Sequence, residues 1–123
     1  MHTVAVYGSL LSGMGNHRLL ESSQKIGSTL VTGFDMYSFG AFPVIVPGER
    51  DKAVSVEVYQ VDKQTFERLD RLEGYPSFYD RQQVEVNFHD GVRVAWIYFM
   101  AKKPQRNLLP VPSGSWKEHR DVY

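Results

Sequence analysis

Residues 53–74 read AVSVEVYQVDKQTFERLDRLEG, and the period of the apolar residues changes midway through the stretch. From 53 to 61, Val54, Val56 and Val58 alternate with Ser55, Glu57 and Tyr59, the period-two pattern of a half-buried strand. Asp62 then offers a side-chain oxygen to the open N–H groups of a helix, in which Phe66, Leu69 and Leu72 recur at helical spacing among Glu67, Arg68, Asp70 and Arg71. Gly74 marks its end. A strand that passes directly into a short helix makes the chain a mixed α and β protein.

Toward the C-terminus, Val84, Val86 and Phe88 alternate into His89-Asp90-Gly91 and residues 92–100 alternate again, which predicts a hairpin turning near Asp-Gly. Trp96, Tyr98 and Met100 share one face of its second strand. Beyond Lys102, the prolines at 104, 110 and 112 and the Ser113-Gly114-Ser115 run predict an irregular arm from about residue 102. Toward the N-terminus, residues 3–7 read as a strand that stops at Gly8, and Asn16 is placed to cap a short helix with Leu19 and Leu20 inward. Residues 26–32 and 34–39 read as strands broken by Gly33, and 42–48 is an apolar stretch bracketed by Pro43 and Pro47. Many strands with only two short helices predict an α+β fold built on a small, mainly antiparallel and nearly closed β-barrel, because closure removes exposed edges.

With 123 residues, 42% of them hydrophobic, the chain can bury one core, so residues 1–123 are expected to form a single domain. The absence of cysteine excludes a thiol nucleophile, a redox pair, a disulfide framework and a thiolate metal site. The histidines at 2, 17, 89 and 119 lack ligand spacing, so neither metal nor other cofactor is expected. A formal net charge of zero gives no pull toward nucleic acid or an anionic membrane. The N-terminal residues carry no basic flank or long apolar run, so a cytoplasmic protein without signal peptide or membrane span is expected. Gly8, Gly13 and Gly15 do not match a dinucleotide fingerprint, and Ser9 and His17 lie in no Gly-x-Ser-x-Gly elbow.

Two segments carry the candidate chemistry. Glu73, directly before Gly74 at the helix end, offers a general base, with Tyr75, Tyr79 and Arg81 close behind. In Tyr7-Gly8-Ser9-Leu10 a hydrophobic strand runs into a small turn, whose backbone N–H groups can converge on an anion without obstruction by a side chain. The bland alternatives are a surface carboxylate and a plain tight turn. Tyr79 is placed to hydrogen-bond the carboxylate or a substrate, or to pack at a strand start, whereas Arg81 suits an ion pair and Tyr98 the core. If the fold joins the two segments, they suit proton transfer on a small carboxylate-bearing substrate.

The chain resembles the γ-glutamylcyclotransferase-like, or AIG2-like, family. The matching blocks are Val6-Tyr7-Gly8-Ser9-Leu10, Gly15-Asn16-His17-Arg18-Leu19-Leu20, Phe42-Pro43-Val44-Ile45 with Pro47-Gly48, Val56-Glu57-Val58-Tyr59, and Leu69-Asp70-Arg71-Leu72-Glu73-Gly74 with Tyr79-Asp80-Arg81. They run in order over residues 4–101, with spacing most similar to the γ-glutamylamine cyclotransferase branch. The resemblance implies a barrel with helices around one cavity, a cofactor-free enzyme, Glu73 as its catalytic glutamate, and release of 5-oxoproline and a free amine from γ-glutamyl amines or dipeptides. Tyr7, Gly8, Ser9, Leu10 and Tyr79 form the expected substrate-binding set. Two alternatives stand beside it: a non-catalytic module for a small ligand or a protein, and a cyclotransferase that deprotects a larger γ-glutamyl intermediate. No spacing in residues 40–48 or the C-terminal arm encodes a leaving group or an oligomeric state.

Overall fold

The computed structural model describes residues 1–122, with side chains described through residue 120. Its strands are β1 (His2–Val6), β2 (Gln24–Thr32), β3 (Phe34–Ser38), β4 (Pro43–Pro47), β5 (Ala53–Val61), β6 (Asp80–Phe88), β7 (Gly91–Phe99) and β8 (Leu109–Pro110). Its α-helices are α1 (Lys63–Glu73) and α2 (Trp116–Val122), and His17–Leu20 form a 3₁₀ turn. Five strands make one sheet in the order β2-β5-β1-β7-β6, and three make a second in the order β4-β3-β8.

The large sheet curls into a half-barrel, mainly antiparallel and broken by one parallel pair, in which Val4 and Ala5 of β1 lie opposite Trp96 and Ile97 of β7. Its edges β2 and β6 approach one another, and the Thr29 hydroxyl donates to the Asn87 carbonyl at 2.7 Å. A register shift between Lys25 and Gly27 assists that curl, since a bulge increases local twist. Where β7 ends, the Met100 N–H donates to the Ile45 carbonyl of β4 at 3.0 Å, which joins the second sheet to the first. Val4, Val44, Ile45, Val54, Val58, Leu69 and Ile97 fill the interior between them.

Helix α1 forms where its pattern predicts. Asp62 accepts from the Thr65 N–H at 2.7 Å, and Phe66 and Leu69 are buried on the inner face. Gly74 ends it at φ +65° with its N–H on the Arg71 and Asp70 carbonyls, a left-handed cap that a side chain would strain. The expected hairpin also forms, with His89 and Asp90 between β6 and β7.

Three expectations are corrected. Asn16 caps no α-helix: its side chain donates to Ser9 Oγ at 3.0 Å, and the next residues close a 3₁₀ turn. The arm beyond Lys102 is structured, because Leu108, Val111 and Trp116 are buried and the Gly114 carbonyl accepts from the Ser55 N–H at 2.8 Å. The second helix is therefore α2, at the end of the chain. Strand β5 is buried on both faces through its middle, since Glu57 and Tyr59 are buried along with Val56 and Val58.

Candidate active site

A cavity of about 340 Å³ opens where β1 ends, within the size range of small-molecule sites. It is built by the β1 end and turn through Leu10, by Asn16, by the entry to β4 at Phe42 and Pro43, by the last turn of α1 at Leu72 and Glu73, by Phe78 and Tyr79 ahead of β6, and by Tyr98 of β7. The two candidate segments, separated by more than sixty residues of sequence, thus face one space. All six expected site residues, Tyr7, Gly8, Ser9, Leu10, Glu73 and Tyr79, line it.

Glu73 reaches this position because α1 is tied at its C-terminal end. Asp70 accepts from Arg81 Nε at 3.0 Å and from the Tyr98 hydroxyl at 2.7 Å, which fastens the last helical turn to β6 and β7. The Arg81 guanidinium is itself enclosed, lying 4.6, 4.2 and 4.5 Å from the ring centres of Phe66, Tyr75 and Trp96. Arg81 is therefore the ion-pair residue the sequence suggests. Tyr98 is buried as expected, and it also forms part of the cavity wall.

The Glu73 carboxyl group has no described side-chain partner and lies among the cavity walls. Burial disfavours its charged form and pushes its pKa from 4.5 up to about 7. Burial also raises the Tyr7 phenol well above its usual value, with Tyr79 and Glu73 adding to the effect. Tyr79 is raised by burial and by the Glu73 charge. Both phenols stay neutral. Tyr7 donates to the Tyr98 carbonyl and Tyr79 to the Pro43 carbonyl, each at 2.8 Å, so their oxygens present lone pairs to the cavity rather than protons.

The turn is set by backbone contacts. The Leu11 N–H donates to the Gly8 carbonyl at 3.0 Å, the Asn16 N–H to the Ser9 carbonyl at 3.0 Å, and His17 Nδ1 meets the Leu10 carbonyl at 2.9 Å. These contacts use the carbonyls of Gly8, Ser9 and Leu10, and the Ser9 and Leu10 N–H groups donate to no acceptor among the described residues. Gly8 is required by close approach, because a Cβ there would lie 2.8 Å from Cγ and Cδ of Pro43.

Behind the turn lies a residue that sequence reasoning passed over. Glu57 Oε1 accepts from the Ser12 N–H at 2.8 Å and from the Tyr59 hydroxyl at 2.9 Å, while Oε2 accepts from Ser12 Oγ at 2.8 Å and Lys117 Nζ at 3.1 Å. Burial alone would raise its pKa, but the Ser12, Tyr59 and Lys117 hydrogen bonds outweigh it and hold it at about 2. The readable signal was a carboxylate amid valines, with Tyr59 two residues on and so on the same strand face.

Residues 4–118 match the family described as "Gamma-glutamyl cyclotransferase, AIG2-like". A relative from Methanocaldococcus jannaschii is 35% identical over 122 residues, covering 98% of this chain and 99% of its own. The gamma-glutamylcyclotransferase family protein YtfP of Escherichia coli is 32% identical over 113 residues, or 92% and 94% of the two chains. A crystal structure of a Pyrococcus horikoshii protein superposes with a TM-score of 0.78 at 32% identity, covering 99% of this chain and 95% of that one. With the family pattern spanning nearly the whole chain and the same fold in a solved relative, the protein belongs to the gamma-glutamyl cyclotransferase, AIG2-like family.

Proposed function

We propose that the protein converts a γ-glutamyl amine to 5-oxoproline and a free amine, with Glu73 as general base and then general acid. The observation that carries this reading is one carboxyl group, raised to about 7, facing the same cavity as the Gly8–Leu10 turn. Glu73 takes a proton from the substrate α-ammonium, and the freed amine nitrogen attacks the γ-carbonyl carbon to form the five-membered lactam. The γ-amide C–N bond then breaks as Glu73 returns its proton to the departing nitrogen, and the second proton of the ring nitrogen passes to the released amine, which leaves as an ammonium ion. The atoms balance with no co-reactant. The N–H groups of the turn hold the substrate carboxylate, and the lone pairs of Tyr7 and Tyr79 face its ammonium group.

Incubation with γ-glutamyl amines and γ-glutamyl dipeptides, followed by assay for 5-oxoproline, tests the reaction. Absence of 5-oxoproline from every member would leave a ligand-binding module.

Gly8→Val is expected to weaken 5-oxoproline binding by at least about tenfold, because displacing Pro43 moves both the turn and the carbonyl that holds Tyr79. Calorimetry on protein shown to be folded by circular dichroism checks it, and unchanged affinity would remove the turn from the site. Tyr79→Phe keeps the ring and deletes the bond to Pro43, so kcat/KM is expected to fall by about tenfold. Full activity would make Tyr79 a packing residue.

A further inference from the structure

The cavity mouth carries an apolar surface that the cyclotransferase chemistry does not explain. Phe42, Phe78 and Leu72 all line the cavity, yet they are 37%, 49% and 40% exposed. The two phenylalanines belong to a continuous path of rings, with Phe39 to Phe42 at 5.0 Å between centres, Phe42 to Phe78 at 6.3 Å, and Phe78 to Tyr79 at 4.9 Å. That path leads from solvent to the cavity shared with Glu73. Phe78 sits on a defined turn, because its N–H donates to the Gly74 carbonyl at 2.7 Å. A contiguous exposed patch on a rigid frame that runs into a cavity marks a place where ligand is buried.

Charge narrows the ligand. Among the described residues lining the cavity there is no lysine, arginine or histidine, and the one carboxylate is Glu73. The turn N–H groups can satisfy the α-carboxylate of the glutamyl half. A second carboxylate, which every γ-glutamyl amino acid carries on its leaving half, would be desolvated there without a cation to pair it. Arg106 stacks 5.2 Å from the Phe39 ring centre, but neither residue belongs to the cavity lining.

Building on the cyclotransferase reading, we propose that the leaving half of the substrate is an apolar primary amine without a carboxylate, seated against Phe42, Phe78 and Leu72. These three side chains determine specificity, and the glutamyl half is held deeper, at the turn and Glu73.

The test uses γ-glutamylphenethylamide, γ-glutamylphenylalanine, which adds only a carboxylate, and γ-glutamylmethylamide, which lacks the apolar body. The phenethylamide is expected to exceed each of the others in kcat/KM by about tenfold or more. In Phe42→Ser and Phe78→Ser its advantage over the methylamide is expected to shrink by about tenfold. Equal or better turnover of γ-glutamylphenylalanine, above all if Arg106→Ala abolishes it, would overturn the inference and place a carboxylate at the mouth. An unchanged phenethylamide to methylamide ratio in both serine variants would overturn it too. So would a concentration-dependent dimer that Phe78→Ser dissociates without altering that ratio, because a second copy would then cover the patch. If 5-oxoproline appears with the wrong preference, only this inference fails. If none of the three compounds yields 5-oxoproline, the cyclotransferase reading fails and takes the inference with it.

Discussion

Replacing Glu73 with glutamine is expected to lower turnover by about 10²–10⁴-fold, the contribution of general acid–base catalysis, while making the protein more stable above pH 7. The two effects share a cause. The amide keeps the shape of the side chain but accepts no proton, and it also removes a charge from the cavity wall. The carboxyl pKa is about 7 in the folded protein against 4.5 without burial, so the folded state binds more protons than the unfolded state between those values. Stability is therefore greatest below pH 4.5 with respect to this group and is lost as pH rises through 7. The full shift corresponds to about 3 kcal/mol. Urea unfolding at pH 5 and pH 8 is expected to show a gain for Glu73→Gln that is small at the lower pH and approaches that value at the higher. Activity of the wild-type protein runs the opposite way. The base must be ionised, so kcat is expected to rise with pH through an acidic limb near 7. A pH-independent stability difference would mean that the carboxyl is not raised, and near wild-type turnover in the glutamine variant would remove Glu73 from the mechanism.

Such a pairing of lower stability with activity is common where a charge must be kept partly dehydrated. Its location was legible in the sequence and its cause only partly so. Gly74 fixed the helix end, which put Glu73 in the last turn. From sequence, both the negative end of the helix and partial burial would raise its pKa, whereas in the structure burial by the cavity walls accounts for the shift. Those walls include β1, the entry to β4 and Tyr98 of β7, all of them remote from Glu73 in the chain.

Local signals identified the elements whose patterns are self-contained. Helix α1 and the β6–β7 hairpin follow from apolar spacing, capping and Asp-Gly chemistry alone. The C-terminal arm was misread because Pro104, Pro110, Pro112 and Gly114 are loop formers, and nothing local reveals that Leu108, Val111 and Trp116 insert into the core. The parallel pairing of β1 with β7 joins residues some ninety positions apart, beyond any periodicity argument. Asn16 has the chemistry of a helix cap, but Ser9, seven residues earlier, competes for its side chain and wins. In each case a tertiary partner overrides a local preference.

Glu57 is the strongest example, and its replacement is expected to have the largest effect on stability. Its residue is 6% exposed, and its two oxygens receive four hydrogen bonds from Ser12, Tyr59 and Lys117. Glu57→Ala would leave the Ser12 N–H and hydroxyl and the Tyr59 hydroxyl without their acceptor, at a cost of about 2–4 kcal/mol. Lys117 is a smaller contributor, since its side chain is 42% exposed and can return to water. Lys117→Met is accordingly expected to cost less than about 1 kcal/mol. Equal losses in the two variants would assign the stability to the ion pair instead of the Ser12 anchor. The anchor also has a catalytic consequence, because Ser12 is two residues beyond Leu10 and holds the back of the turn that lines the cavity. Loosening it should misplace N–H groups without altering the carboxyl at Glu73. In Glu57→Ala, KM for a γ-glutamyl substrate is expected to rise by about tenfold while the acidic limb of kcat stays near pH 7, the pKa of Glu73. A destabilised variant with unchanged KM would reduce Glu57 to a structural role, whereas a displaced acidic limb would mean that it reaches Glu73 through the cavity wall.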